Sequence, residues 1–315
     1  MKRSLLLIVA LSLLLAPALP AAALDTNLRF ITVDPAGSTS TVVDAINDLR
    51  QMSGRYSYDP NPFLPSHGFY LGRLGGTAVT FDPPGSSTAT TGRTTAFINN
   101  EGNISGSYFD TSGVQHSYFL SHIDGTFINP LDPPIVSVPG NHAGGYGLND
   151  FQNIVGGYYL SDTNTTHSYF LRSPYGKKLN FTTFDPPGSI NSVGTNINDL
   201  GEIVGFYQSE AEGTSVDIGY YLNHLGGDFS NIVPPGSINT VPGGINNFGV
   251  IVGVFEDSSH ASHGFILEHG IYTTVDFPNS SLTEIEGISD LGDICGAYID
   301  AITGEQHGFV ALRGE

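Results

Sequence analysis

The feature that most restricts the fold is a unit that recurs six times, most completely between Thr182 and Leu222. There the chain reads Thr-Thr-Phe-Asp-Pro-Pro-Gly-Ser (182–189), Asn-Ile-Asn-Asp-Leu-Gly-Glu-Ile-Val-Gly-Phe-Tyr (196–207) and Gly-Tyr-Tyr-Leu (219–222). Each piece is a short β-branched or aromatic run bounded by Pro, Gly, Asn or Asp, which is the pattern of short strands joined by tight turns. Copies are spaced by 43 to 53 residues. That period matches propeller blades and is too long for the coil of a β-helix.

Four landmarks mark each copy. An Asp ahead of proline stands at Asp34, Asp82, Asp132, Asp185 and, with Phe277 between, Asp276; Val233 takes its place once. An Ile-Asn-Asp element follows at Asn47, Asn99, Asn149, Asn198 and Asn246, with Ser289 in the sixth copy. Next comes Gly-x-aromatic, at Gly54, Gly106, Gly156, Gly205, Gly253 and Gly296. The last is His-Gly/Ser-aromatic, at His67, His116, His167, His263 and His307, with Ile218 in the fourth copy.

Asn198-Asp199-Leu200-Gly201 fits a type I turn closed by a left-handed glycine, so the strands on either side form a hairpin. Arg50 and Gln152 stand where that glycine belongs, which makes two turns less favourable. The Gly of Ile-Val-Gly-x-Tyr lies inside a strand, where glycine admits a close neighbour. Pro-Pro-Gly ends pairing and starts a crossing loop. The strand order is therefore A (ending Ile-Asn), B (Ile-Val-Gly-x-Tyr), C (His-Gly-Phe) and D (Thr-Thr-Phe-Asp). Leu28–Val33 reads as a D strand without a blade, and the last copy lacks its D strand. The expected architecture is all-β: a six-bladed propeller with four-stranded blades, closed by the N-terminal strand, which removes two bare sheet edges.

The pairing of Ile-Asn-Asp-x-Gly-x-Ile-Val-Gly-x-Tyr with His-x-Phe resembles the bacterial extracellular repeats called the HAF family, here with Gly or Ser between the His and the aromatic. The resemblance covers residues 28 to 312 and implies export and a propeller-like fold. It implies no reaction and carries over no catalytic residue.

Lys2 and Arg3, an apolar run from Leu5 to Leu15 and Ala21-Ala22-Ala23 describe a secretory signal over residues 1–23, leaving 24–315 as one propeller domain, secreted or periplasmic. The apolar run is shorter than a membrane span needs, and the reading is of a monomer with no membrane insertion after cleavage. A net charge of −19 repels phosphate backbones, so nucleic acid is not the expected partner. Cys295 is the sole cysteine and replaces an apolar repeat residue, which points to a buried, inert thiol.

No Gly-x-Ser-x-Gly, His-Glu-x-x-His or phosphate-cradling loop occurs. Repeated histidines on successive blades are too far apart to share an ion, so each is expected to bond a nearby carboxylate or carbonyl. The local cluster Glu256, Asp257, His260 and His263 is the candidate metal set, while calcium is the ion that the Asp-Pro aspartates or the loop carboxylates Asp217, Glu256 and Asp257 could hold through oxygen. Uniform A–B turns contrast with B–C loops that differ in every copy, which points to the B–C face as the binding face. Candidate ligand-binding residues there are Tyr58, Phe63, Tyr159, Asp217, Glu256 and Asp257. The function read from this is a non-catalytic module for an extracellular glycan or cell-surface protein. The alternative is a carboxylate-based, calcium-assisted hydrolase or lyase acting on polysaccharide, drawing on residues such as Glu210, Glu212, Asp217 and Glu256.

Overall fold

The computed structural model describes residues 27–59, 66–87, 94–176, 178–209 and 213–314. The expected signal segment, Phe63, Glu210 and Glu212 lie outside the described residues. The strand β1 (Leu28–Val33) comes first. Repeat 1 then supplies β2 (Ser40–Ile46), β3 (Met52–Ser57), β4 (His67–Leu71) and β5 (Val79–Phe81). Repeat 2 supplies β6 (Phe97–Ile98), β7 (Ile104–Phe109), β8 (Gln115–Leu120) and β9 (Phe127–Ile128). Repeat 3 gives β10 (His142–Leu148), β11 (Ile154–Leu160), β12 (Thr165–Leu171) and β13 (Phe181–Thr183). Repeat 4 gives β14 (Ser189–Ile197), β15 (Ile203–Ser209), β16 (Gly213–Leu222) and β17 (Phe229–Ile232). Repeat 5 gives β18 (Ser237–Ile245), β19 (Ile251–Asp257), β20 (Ser262–Glu268) and β21 (Ile271–Val275), and repeat 6 ends the chain with β22 (Ser280–Ile288), β23 (Ile294–Asp300) and β24 (Gln306–Arg313).

Repeats 2 to 5 each form a separate antiparallel sheet of four strands in chain order, A to D. Repeats 1 and 6 belong to one eight-stranded sheet, whose two halves meet at a single parallel bridge between Ser40 and Gln306. In that sheet β1 lies antiparallel on β24, with Leu28 opposite Arg313 and Val33 opposite Gly308. Repeat 6 thus receives its fourth strand from residues 28–33, and Phe30 packs edge-on to Phe277 at 5.4 Å.

In repeats 1 and 3 to 6 the strand B glycine answers an irregularity in strand A. Register shifts fall between Val43 and Ala45, Gly145 and Leu148, Gly194 and Asn196, Pro242 and Gly244, and Ile285 and Gly287. These bulges push a strand A carbonyl against strand B. A Cβ on Gly205 would overlap the Val193 carbonyl oxygen and stand 2.6 Å from the Tyr220 ring. The strand C aromatics Phe69, Tyr118, Tyr169, Tyr220, Phe265 and Phe309 fill the space above these glycines and are fully buried, each burial contributing roughly 1.5–3 kcal/mol.

The Ile-Asn-Asp turns tie the sheets together. Asn47 Nδ2 donates to the Asn99 carbonyl at 3.0 Å, Asn99 to Asn149 at 2.9 Å, Asn149 to Asn198 at 3.0 Å, Asn198 to Asn246 at 3.0 Å and Asn246 to Ser289 at 3.1 Å. One residue further, each backbone N–H donates to the side chain of the next repeat: Asp48 to Asn100, Asn100 to Asp150, Asp150 to Asp199, Asp199 to Asn247, and Asn247 to Asp290, all at 2.8 Å. Asp290 N donates in turn to Asp48 Oδ1 at 2.7 Å. The turns closed by Gly102, Gly201, Gly249 and Gly292 have positive φ, and so do those at Arg50 (57°) and Gln152 (60°). Arg50 holds its position through a 2.7 Å ion pair to the buried Asp293. Cys295 is fully buried, and burial pushes its thiol up, away from reactivity.

Candidate functional site

The repeated histidines and aspartates form clasps. His Nδ1 meets Asp Oδ2 in His67–Asp82 (3.0 Å), His116–Asp132 (2.6 Å), His167–Asp185 (2.9 Å), His263–Asp276 (2.8 Å) and His307–Asp34 (2.8 Å). The other carboxylate oxygen accepts the next backbone N–H in four of them, from Ser117, Ser168, Gly264 and Gly308. The aromatic of Gly-x-aromatic lies against each imidazole, from Tyr56–His67 at 5.6 Å to Tyr298–His307 at 5.3 Å. Repeat 4 lacks both partners at once: Ile218 replaces the histidine and Val233 the aspartate. That joint loss was the signal in the sequence that the two landmarks are one device.

The loop-face residues fall into three places. Asp217 and Glu256 are linked across repeats 4 and 5 by Asn239, whose Oδ1 accepts the Asp217 N–H at 3.0 Å while its Nδ2 donates to Glu256 Oε2 at 2.6 Å. Asn191 makes the same kind of bridge between repeats 3 and 4, to Thr166 N and Gln208 Oε1. Glu256, Asp257, His260 and His263 pair off: His260 bonds Glu256, and His263 turns Nδ1 to Asp276 and Nε2 to Asp257 at 3.6 Å. Hydrogen bonds from Ser259 and Ala261 hold the Asp257 carboxyl at about 2, Asn239 and His260 lower Glu256, and Asp276 raises His263. No group of three or more His, Cys, Asp or Glu among the described residues is gathered to hold a metal. Tyr159 stacks on His142 at 4.7 Å in repeat 3.

Tyr58 stands in repeat 1, apart from these, and borders a groove of about 540 Å³ between β1 and the 71–80 segment. Ile31, Val33, Phe69 and Leu71 form its apolar wall; Thr32, Asp34, Tyr56, Tyr58 and Thr80 supply hydroxyls and a carboxylate. Tyr56 Oη lies 2.7 Å from Thr80 Oγ1 and 3.3 Å from Tyr58 Oη, and burial raises the Tyr56 phenol. The Tyr58 ring meets Tyr56 edge-on at 5.3 Å, and the residue is 59% exposed, within reach of a ligand. Sequence reading found Tyr58 alone, because the rest of the groove exists only where β1 meets repeat 1.

No protein-family model matches the chain, and no curated protein matches it. Solved structures do. A mutant of AofleA from Arthrobotrys oligospora has a TM-score of 0.55 at 11% identity, covering 91% of this chain and 87% of that one. The Aleuria aurantia lectin, in complex with Fucα1-6GlcNAc, has a TM-score of 0.51 at 12% identity over 89% and 95%. The β-propeller domain of the Trilobed protease from Pyrococcus furiosus, which has an open velcro topology, has 0.52 at 9% over 89% and 82%. The chain has a β-propeller fold. At these identities the likeness is one of fold, and residue roles do not transfer.

Proposed function

We propose that the protein is an exported, non-catalytic glycan-binding module built on a closed six-bladed propeller of HAF-type repeats. The ring reading is supported by β1 on β24 and by the turn bonds that run from repeat to repeat and back from Asp290 to Asp48. Export rests on the basic start, apolar run and Ala-rich site of residues 1–23. The observation that carries the function is the groove beside Tyr58. An exposed aromatic residue beside a row of hydroxyls and one carboxylate suits a neutral sugar, whose C–H face packs on the ring while its hydroxyls exchange hydrogen bonds. The groove's volume is that of an ordinary small-ligand site.

The test is a titration with neutral monosaccharides and disaccharides, starting with α-methyl fucoside and Fucα1-6GlcNAc. Tyr58→Ala is expected to weaken binding about tenfold, on the order of 1.4 kcal/mol, with unchanged melting. A protein that binds no sugar, or binds equally well with Tyr58→Ala, refutes the groove as the site.

A further inference from the structure

A second cavity, of about 480 Å³, is lined by residues of all six repeats, among them Arg55, Gln115, Tyr146, Thr195, Gly243 and Glu286. It lies against the strand A bulges. Counted back from the Ile-Asn turn, the same position holds Asp44, Ala96, Tyr146, Thr195, Gly243 and Glu286 in repeats 1 to 6. Four of these, Asp44, Thr195, Gly243 and Glu286, are the extra residues skipped by the register shifts. A bulge re-aims its side chain, and bulges gather beside functional sites. The contrast with the turns is sharp. Two residues away the chain keeps Ile or Leu in every repeat; here six repeats carry six different residues, and Tyr146, Thr195, Gly243 and Glu286 of these line the cavity. A scaffold position keeps its residue type, whereas a ligand, which has no six-fold symmetry, requires different contacts from each repeat.

The chemistry of this position is asymmetric too. Arg55 pairs with Asp44, lies 4.0 Å from Glu286, and is held charged: burial pulls its pKa down, but Asp44, Glu286 and Glu284 raise it by more. Asp44 is fully buried and its second oxygen accepts the Ala96 N–H at 2.9 Å. Three carboxylates thus surround one guanidinium, which leaves the wall formed by repeats 1 and 6 with excess negative charge. The same cavity is lined by Phe97 and Tyr146, 6.1 Å apart and edge to face, and by Phe109. The walls are fixed from sheet to sheet: Ser53 Oγ donates to Ala96 O (2.7 Å), Ser105 Oγ to Tyr146 O (2.6 Å) and Thr195 Oγ1 to Pro242 O (2.6 Å).

We infer that this cavity is a second binding site, distinct from the sugar groove, for a small organic cation, an amine or quaternary ammonium ion. Carboxylates of repeat 6 supply the counter-charge and aromatic rings of repeats 2 and 3, lining the same cavity, supply cation–π contact. Pre-built walls spare the ligand the ordering cost that loop sites incur. A neutral sugar would use the hydroxyl-lined groove, since it gains nothing from the excess negative charge here.

The probe is choline, titrated by calorimetry and by NMR against its neutral isostere 3,3-dimethylbutanol, on the folded protein. Choline is expected to bind saturably, at least tenfold more tightly than the isostere, and more weakly as salt is raised. Glu284→Gln and Glu286→Gln, made singly, should each weaken choline about tenfold, the loss of one charge-assisted contact of about 1.4 kcal/mol. Tyr58→Ala should leave choline binding unchanged, which separates this site from the groove. Asp44→Asn is avoided because it would strand a buried guanidinium; melting curves on both glutamate variants confirm folding. Equal affinity for choline and its isostere, no saturable binding of choline, or full affinity in both folded glutamate variants overturns the proposal.

Discussion

At Asn47, Asn99, Asn149, Asn198 and Asn246 one amide serves two partners at once. Its nitrogen donates to the next repeat's carbonyl, while its oxygen accepts within its own turn, as Asn47 Oδ1 does from Leu49 N (3.1 Å) and Gln51 N (2.9 Å). Aspartate lacks the donor, and serine lacks the reach. Ser289 in repeat 6 shows the consequence: its Oγ is buried and has no hydrogen-bond partner. Ser289→Asn is therefore expected to add the missing bond to the Asn47 carbonyl and stabilise the fold by about 1 kcal/mol, the usual net value of one such bond. The urea midpoint is the measurement, and a midpoint that stays or falls rules out a space like that in the other five repeats. The sequence announced the substitution but not its cost, because a turn motif gives no sign that its amide reaches a neighbouring sheet. The clasps were more legible. His-to-carboxylate bonding follows from residue type, and repeat 4 loses both partners together.

At the scale of the strand, β1 has the most to test. It pairs with β24 along its whole length, Thr32 Oγ1 lies 2.9 Å from Tyr298 Oη, and Asp34 completes the clasp of His307. A chain beginning at Gly37 loses all of these and bares the edge of β24, whose Phe309, Val310 and Ala311 are otherwise fully buried. It should lose cooperative unfolding and aggregate through that edge. A truncated chain that melts like the intact protein would show that the pairing contributes little. This strand was readable in advance, since Leu28–Val33 repeats the D pattern and repeat 6 lacks a D strand of its own. The bulges were not. Alternation counts one residue per pleat, and the two-against-one pairing in strand A appears only when the partner strand is in place. The intrastrand glycine was the single hint, and it marked the partner of the bulge, not the bulged residue that lines the cavity. Repeat 2 departs furthest from expectation: β6 and β9 are two residues each.

At the scale of the whole molecule, the charges make a prediction about acidity that no single repeat does. Net charge and loop-face carboxylates were legible in the sequence, yet the shifted groups include turn residues as well as loop residues. Burial raises Asp48 and Asp150, and the charges of Asp290 on the first and Asp199 on both push the same way. A carboxyl raised in the folded state favours the fold when protonated, so this penalty is present at neutral pH and fades as pH falls toward the unfolded value of 3.8. His263 has its pKa raised by Asp276, so its contribution is full below 6.5 and is lost as pH rises through the folded value. Glu256 and Asp300 are lowered and act in the opposite sense, as do Asp257 and Asp110, where bonds from Ser112 and Val114 overcome burial; the last two are held at about 2. Their stabilisation is intact above 3.8 and disappears as pH falls to about 2. Melting temperature should therefore fall steeply in strong acid, while the Asp48 and Asp150 penalty, present at neutral pH, eases over the same descent. Asn100 and Asn247 already occupy the equivalent position in repeats 2 and 5 and bond both flanking carboxylates. Asp48→Asn with Asp150→Asn should thus be tolerated, and the double variant should melt higher than the native protein at neutral pH, with the gain shrinking as pH falls toward 3.8. A double variant with no gain at neutral pH, or with a gain that does not shrink in acid, would place the repulsion elsewhere than in these turns.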